Sequence, residues 1–241
     1  MRLVGCLTSH RRSDDFCEIY MKRTTCAQKE EFRMNSTVYI YVFDTMADWE
    51  IGYLTAELNS GRYYKKGLSP SKIVTLGVEK TPVTTMGGLK ILPDIKLEEC
   101  SIKNTDALIL PGGDTWMETI HQPIVNKAKQ CIKENIVVAA ICGATIALAQ
   151  NGLLDSRWHT SNDLGYLKMV CSDYKGEKFY KNEPAVTDGK LVTASGVAPL
   201  EFAVHVLKTL DVFSPKTLDA WYKLYETHES NCFYELMSSI Q

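Results

Sequence analysis

The chain has 241 residues, 45% hydrophobic and 23% charged, with a formal net charge of −2. Those proportions suit a large globular domain and exclude collagen, coiled coil and wholesale disorder. With no basic surplus for phosphate and no apolar run near the roughly 18 residues that cross a bilayer, a soluble protein without nucleic-acid or membrane partners is expected.

Residues 1–33 carry no sustained period of 2 or 3.6 and no secretory apolar segment. Asp14, Asp15, Glu18, Glu30 and Glu31 argue against a transit peptide. This stretch reads as a disordered or non-native extension, with Met34 as the functional start and the cytoplasm as the compartment. Residues 38–43 are β-branched and aromatic, as in a central strand. A helix is expected over 49–60, capped by Asp48. A strand follows at 72–76, then a hairpin of 81–85 and 89–92 around Gly87 and Gly88. The apolar strand 106–110 ends in Pro111-Gly112-Gly113. A helix over 122–134 tolerates Pro123 in its first turn. The buried strand 136–141 runs into a helix over 143–151, stopped at Gly152. Strands 185–187 and 191–194 form a hairpin around Asp188 and Gly189. Helices over 199–210 and 215–239 complete the pattern.

Uninterrupted apolar strands alternating with helices indicate an α/β chain: a doubly wound, mostly parallel sheet flanked by helices, as an α/β/α sandwich. The domain is placed at 34–210. The stretch 211–241 is read as a helical extension packed on the domain or at a dimer interface. Ligands in such sheets bind beyond the carboxyl ends of the strands.

The sequence holds eight cysteines, none spaced as C-x-x-C and none in a zinc-finger pattern, so no disulfide framework, metal or cofactor is expected. One of them, Cys142, stands where the strand ending in Ala139-Ala140-Ile141 meets Gly143-Ala144. Such a strand–nucleophile–helix turn admits only small neighbours. The helix N-terminus is expected to favour the thiolate and lower the Cys142 pKa. The alternative is a small buried hydrophobe, as most cysteines are. The glycines of the Pro111-Gly112-Gly113 turn let backbone N–H groups approach a substrate, although a plain tight turn would use the same residues. Glu50 is the third candidate, either as a protonated carboxyl donating to the sulfur or as a carboxylate complementing its helix.

VYIYVFDTMADWE, PDIKLEE, DALILPGGD, VVAAICGATIALA, GLL…R-HTSN and LVTASGVAPLEFA, in that order, resemble the ThiJ/PfpI superfamily over most of residues 38–210. The resemblance implies a flavodoxin-like sandwich with a class I glutamine amidotransferase-like fold, usually homodimeric. It makes Cys142 the nucleophile and Glu50 the carboxyl partner of its thiolate, with Gly113 and Gly143 supplying oxyanion-hole N–H groups. In the protease-like branch a histidine follows the nucleophile; here the residue is Gly143. His159 is the nearest substitute. An ungapped match to relatives with a downstream histidine places that residue nearer Asn162, and an odd offset along a strand turns a side chain away.

Glutamine amidotransferases need G-x-C-x-G and a downstream His-x-Glu, and dinucleotide enzymes G-x-G-x-x-G; none occurs. A DNA-binding module would not fit in the short stretch after Leu210. The expected function is therefore a cysteine-dependent hydrolase or hydratase, protease-, amidase- or glyoxalase-like, acting on a small carbonyl or amide compound or a peptide. The alternative is a non-catalytic redox sensor of stress that uses the same thiol.

Overall fold

The computed structural model describes residues 36–240, so the expectations for residues 1–33 and for Met34 lie outside it. Strands β1 (Thr37–Tyr41) and β2 (Lys72–Gly77) are separated by helix α1 (Gly52–Ser60). The short β3 (Val83–Thr84), β4 (Lys90–Ile91) and β5 (Ile95–Lys96) lead to β6 (Ala107–Leu110) and helix α2 (Gln122–Lys133). Then come β7 (Val137–Ile141), α3 (Gly143–Gln150), α4 (Leu164–Val170), β8 (Ala185–Asp188), β9 (Leu191–Ala194) and α5 (Pro199–Thr209). Helices α6 (Pro215–Thr227) and α7 (Ser230–Ser239) end the described chain.

The main sheet runs β5-β2-β1-β6-β7-β9-β8, parallel throughout except for β8 against β9. Helices flank it: α1 packs on β2, α2 and α3 on β7, and α5 on β7, β8 and β9. This is the doubly wound α/β sandwich expected from the pattern. Every residue of β6 and β7 is buried, which is why both strands read as continuous apolar runs without alternation.

Register decides what meets at the carboxyl edge. Leu110 pairs with Ala140, and Ile141 with Ala194. Continued past the strand ends, the same register sets Gly112, Cys142 and Ser195-Gly196 side by side. The Cys142 N–H still donates to the Ala194 carbonyl at 3.0 Å.

Two local expectations are corrected, and two elements not expected are found. Asp48 caps no helix: residues Asp48–Ile51 form a 3₁₀ turn before α1, and the Asp48 carboxylate accepts from the Thr85 hydroxyl at 2.6 Å. A tertiary donor outcompetes the local N–H groups. The expected helix over 215–239 is two helices, because His228 takes a left-handed conformation with φ 61° between α6 and α7. Helix α4 was unmarked in the apolar pattern, since a single residue of it, Leu167, is fully buried; its signal is Asp163, whose carboxylate accepts the Tyr166 N–H at 2.6 Å. The edge strand β5 has two residues, too few to show a period, and pairs with β2. No described helix is long and apolar enough to cross a membrane.

Candidate active site

Cys142 sits between β7 and α3 with φ 57° and ψ −126°, a backbone conformation that side chains rarely adopt. The turn is held from beneath: the Thr145 hydroxyl donates to the Cys142 carbonyl at 2.6 Å and lies 2.7 Å from the Ser161 hydroxyl in the core. The small residue after it is a steric requirement. A Cβ at Gly143 would lie 2.8 Å from the Gly113 carbonyl oxygen and 3.0 Å from Cδ1 of the buried Trp116. A histidine directly after the cysteine would displace both.

Glu50 reaches the same point from the 3₁₀ turn before α1. Its carboxyl is 1% exposed, and Oε2 accepts the Gly112 N–H at 2.6 Å. Its other oxygen, Oε1, is buried without a conventional donor. Burial pushes the Glu50 pKa up to about 7, with the Gly112 N–H and the Cys142 thiol opposing the shift. A carboxyl that keeps its proton near neutrality turns that oxygen into a donor, and the sulfur is the acceptor beside it.

Burial pushes the Cys142 pKa up, the Glu50 charge adds to this, and the Asn162 amide and Gly143 N–H pull it down. The expectation of a lowered pKa is corrected: desolvation of the half-buried sulfur, with Glu50, outweighs the hydrogen bonds from the Asn162 amide and the Gly143 N–H. Cys142 and Glu50 titrate as a pair that holds at least one proton through neutral pH.

The register also brings in residues that local sequence reasoning missed. The Asn162 side-chain amide donates to Cys142 Sγ at 3.3 Å, and its Oδ1 accepts the Gly196 N–H at 2.8 Å. A Cβ at Gly196 would lie 2.7 Å from Sγ and 3.0 Å from Glu50 Oε1, so this position tolerates no side chain. The fragments HTSN and ASG contained both residues, but nothing local marked them as neighbours of a cysteine on another strand.

Of the sequence candidates, Cys142, Glu50, Gly113 and Gly143 come together. His159 does not. Its ring is fully buried, with Nδ1 2.6 Å from the Arg157 carbonyl and Nε2 2.6 Å from the Tyr174 hydroxyl. Burial lowers its pKa, and both ring nitrogens are engaged away from the thiol. Position 162, three residues on, is the one that reaches the sulfur. No cluster of His, Cys, Asp or Glu suited to a metal ion occurs among the described residues.

Residues 36–209 match the family model of the DJ-1/PfpI family. The chain is 60% identical over 203 residues to the "Uncharacterized protease YoaZ" of Bacillus subtilis (strain 168), covering 84% of this chain and 97% of that protein. It is 26% identical over 145 residues to the "Glutathione-independent glyoxalase DJR-1.2" of Caenorhabditis elegans, covering 58% of this chain and 74% of that one. The crystal structure of a thiJ/pfpI family protein from Bacillus anthracis superposes with a TM-score of 0.84 at 59% identity, covering 86% of this chain and 97% of that one. The chain belongs to the DJ-1/PfpI family.

Proposed function

We propose that this member of the DJ-1/PfpI family is a cysteine-dependent enzyme of the glyoxalase-like kind, adding the Cys142 thiolate to the aldehyde carbon of a small α-oxoaldehyde and releasing a 2-hydroxy acid. The observation that carries this reading is the Glu50 carboxyl. One oxygen is held by the Gly112 N–H, the other lies buried beside the thiol, and the pKa is near 7. A group of that pKa gives and takes protons with equal ease at neutral pH.

In this reaction the sulfur electron pair forms the C–S bond while the carbonyl pair moves to oxygen. The Gly113 and Gly143 N–H groups receive the oxyanion, and Glu50 protonates it to give a hemithioacetal. As a carboxylate, Glu50 then takes the proton from the former aldehyde carbon, the hydroxyl proton of the hemithioacetal passes to the neighbouring ketone oxygen, and Glu50 returns the first proton to the neighbouring carbon of the enediolate. The product on Cys142 is a thioester. Water cleaves it, the thiolate leaves, and the hydroxy acid departs, so that one water is consumed and no redox partner is needed.

A peptidase would need a general acid for the departing amine, which the glyoxalase route dispenses with. Neither Gly143 nor His159 supplies an imidazole at the thiol, which weighs against the activity in the name of the Bacillus subtilis relative. The glyoxalase named in Caenorhabditis elegans supports the carbonyl reading. The test is steady-state conversion of methylglyoxal to lactate, alongside fluorogenic peptides, by wild type and Cys142→Ser. Lactate formation that disappears in Cys142→Ser, without peptide cleavage, is expected. Cys142-dependent peptide cleavage would overturn the carbonyl assignment. Selective oxidation of Cys142 by peroxide with no turnover of any substrate would replace it with the sensor.

A further inference from the structure

The carboxyl and the thiol leave one contact of the sulfur without an assigned role. The Asn162 Nδ2 donates to Sγ at 3.3 Å, while its Oδ1 accepts from the Gly196 N–H at 2.8 Å and the Ser195 hydroxyl at 3.4 Å. The Gly196 N–H, which can only donate, fixes which end of the amide faces the sulfur. The flipped rotamer would set an NH₂ group against the Gly196 N–H and turn the oxygen to the thiolate, losing both the Gly196 and the sulfur bonds.

We propose that Asn162 is the positioning residue of this site, a non-titrating donor clamped by the Gly196 backbone that holds the Cys142 thiolate where other architectures place an imidazole.

The surroundings of the sulfur give this weight. From the turn before α1 comes Glu50; from the turn after β6, the Gly112 backbone, whose N–H is spent on Glu50; from α3, the Gly143 N–H. From the turn after β9 come Ser195 and Gly196, and from the segment before α4, Asn162 alone. Glu50 is the one charged group that acts on the thiol among the described residues. An amide has no proton to give up in the working range, so the pH response of the sulfur belongs to the Cys142–Glu50 pair, and Asn162 adds a constant stabilisation of the thiolate. It also leaves the site without a second acid, which confines it to reactions that Glu50 can serve alone.

This inference rests on Cys142 being the nucleophile, and its test needs no substrate. The rate of Cys142 alkylation by iodoacetamide, resolved by peptide mass spectrometry on the full chain, is measured from acid to alkaline pH. Asn162→Asp keeps the acceptor for Gly196 but exchanges the donor for a negative charge, and alkylation at neutral pH is expected to fall about tenfold or more. Asn162→Ala is expected to fall several-fold. Asn162→His is expected to add an inflection near the ordinary imidazole pKa of about 6.5. The side chain is exposed, so thermal melts should stay near wild type; should Asn162→Asp not fold, the Ala and His profiles carry the test. Profiles of Asn162→Asp or Asn162→Ala that superimpose on wild type would overturn the proposal. Asn162-dependent alkylation in a chain that turns over no carbonyl would retire the glyoxalase-like reading and leave this one standing, and the reverse result would do the opposite.

Discussion

At the scale of single residues, Glu50 and Cys142 each carry a cost that the other makes useful. A buried carboxyl without a donor for one oxygen is unfavourable as an anion, so it retains a proton; a half-buried thiol resists ionisation for the same reason. Replacing Glu50 with Gln separates the two effects. Without a carboxylate opposing the thiolate, Cys142 alkylation at neutral pH is expected to quicken several-fold and lose its inflection near pH 7. Lactate formation is expected to drop by about 10²- to 10⁴-fold, because the proton carrier is gone. An alkylation profile unchanged by Glu50→Gln would remove Glu50 from the site. Cys142 and Gly143 were legible in the sequence because a tight strand–helix turn forces small residues beside the side chain at its tip, and Glu50 was legible through the family resemblance. Asn162 was marked only through the resemblance, as the position nearest the relatives' downstream histidine, since its closeness to the sulfur arises from how two separate loops converge.

At the scale of elements, α6 stands on the helix that leads away from Glu50. Trp221 is fully buried, its ring 4.9 Å from Tyr225 and 6.2 Å from Tyr53. Its indole N–H donates at 3.0 Å to Glu57 on α1, a buried carboxylate that also receives the Arg62 guanidinium. Truncation to alanine empties that space and strips a donor from the carboxylate. Trp221→Ala is expected to cost about 3–5 kcal/mol in denaturant melts. Trp221→Phe keeps most of the packing and loses the hydrogen bond, for about 1–2 kcal/mol. Equal losses from both would show that the indole N–H, rather than the packing, holds the helices. The break between α6 and α7 was hidden, because a left-handed residue filled by histidine instead of glycine leaves no compositional mark.

At the scale of the molecule, the buried carboxyl sets a slope of stability against pH. Folded, Glu50 holds its proton up to about pH 7; unfolded, it releases it near the ordinary 4.5. Between those values the unfolded chain binds fewer protons than the folded one, so this group makes the fold less stable as pH rises through the window. The loss is complete above pH 7 and is on the order of 3 kcal/mol. Glu50→Gln does not titrate. It is expected to melt above wild type at about pH 8, with the difference closing toward acid pH. A difference that stays constant across the window would mean that Glu50 is not a protonated group in the fold.

The amino-acid sequence by itself determined the doubly wound sheet, the strands at its centre, the family and the place of Cys142 at the turn between β7 and α3. The sheet and the cysteine turn follow from runs of apolar side chains and from crowding within a few residues, and the family from six ordered motifs; all are local patterns. The tertiary structure decided the rest of the site. It turned His159 into the core, brought Asn162 and Gly196 to the sulfur, and let burial raise the thiol against the hydrogen bonds it receives. Strand register and desolvation govern those outcomes, and both depend on which distant segments close over a residue, which no local pattern records.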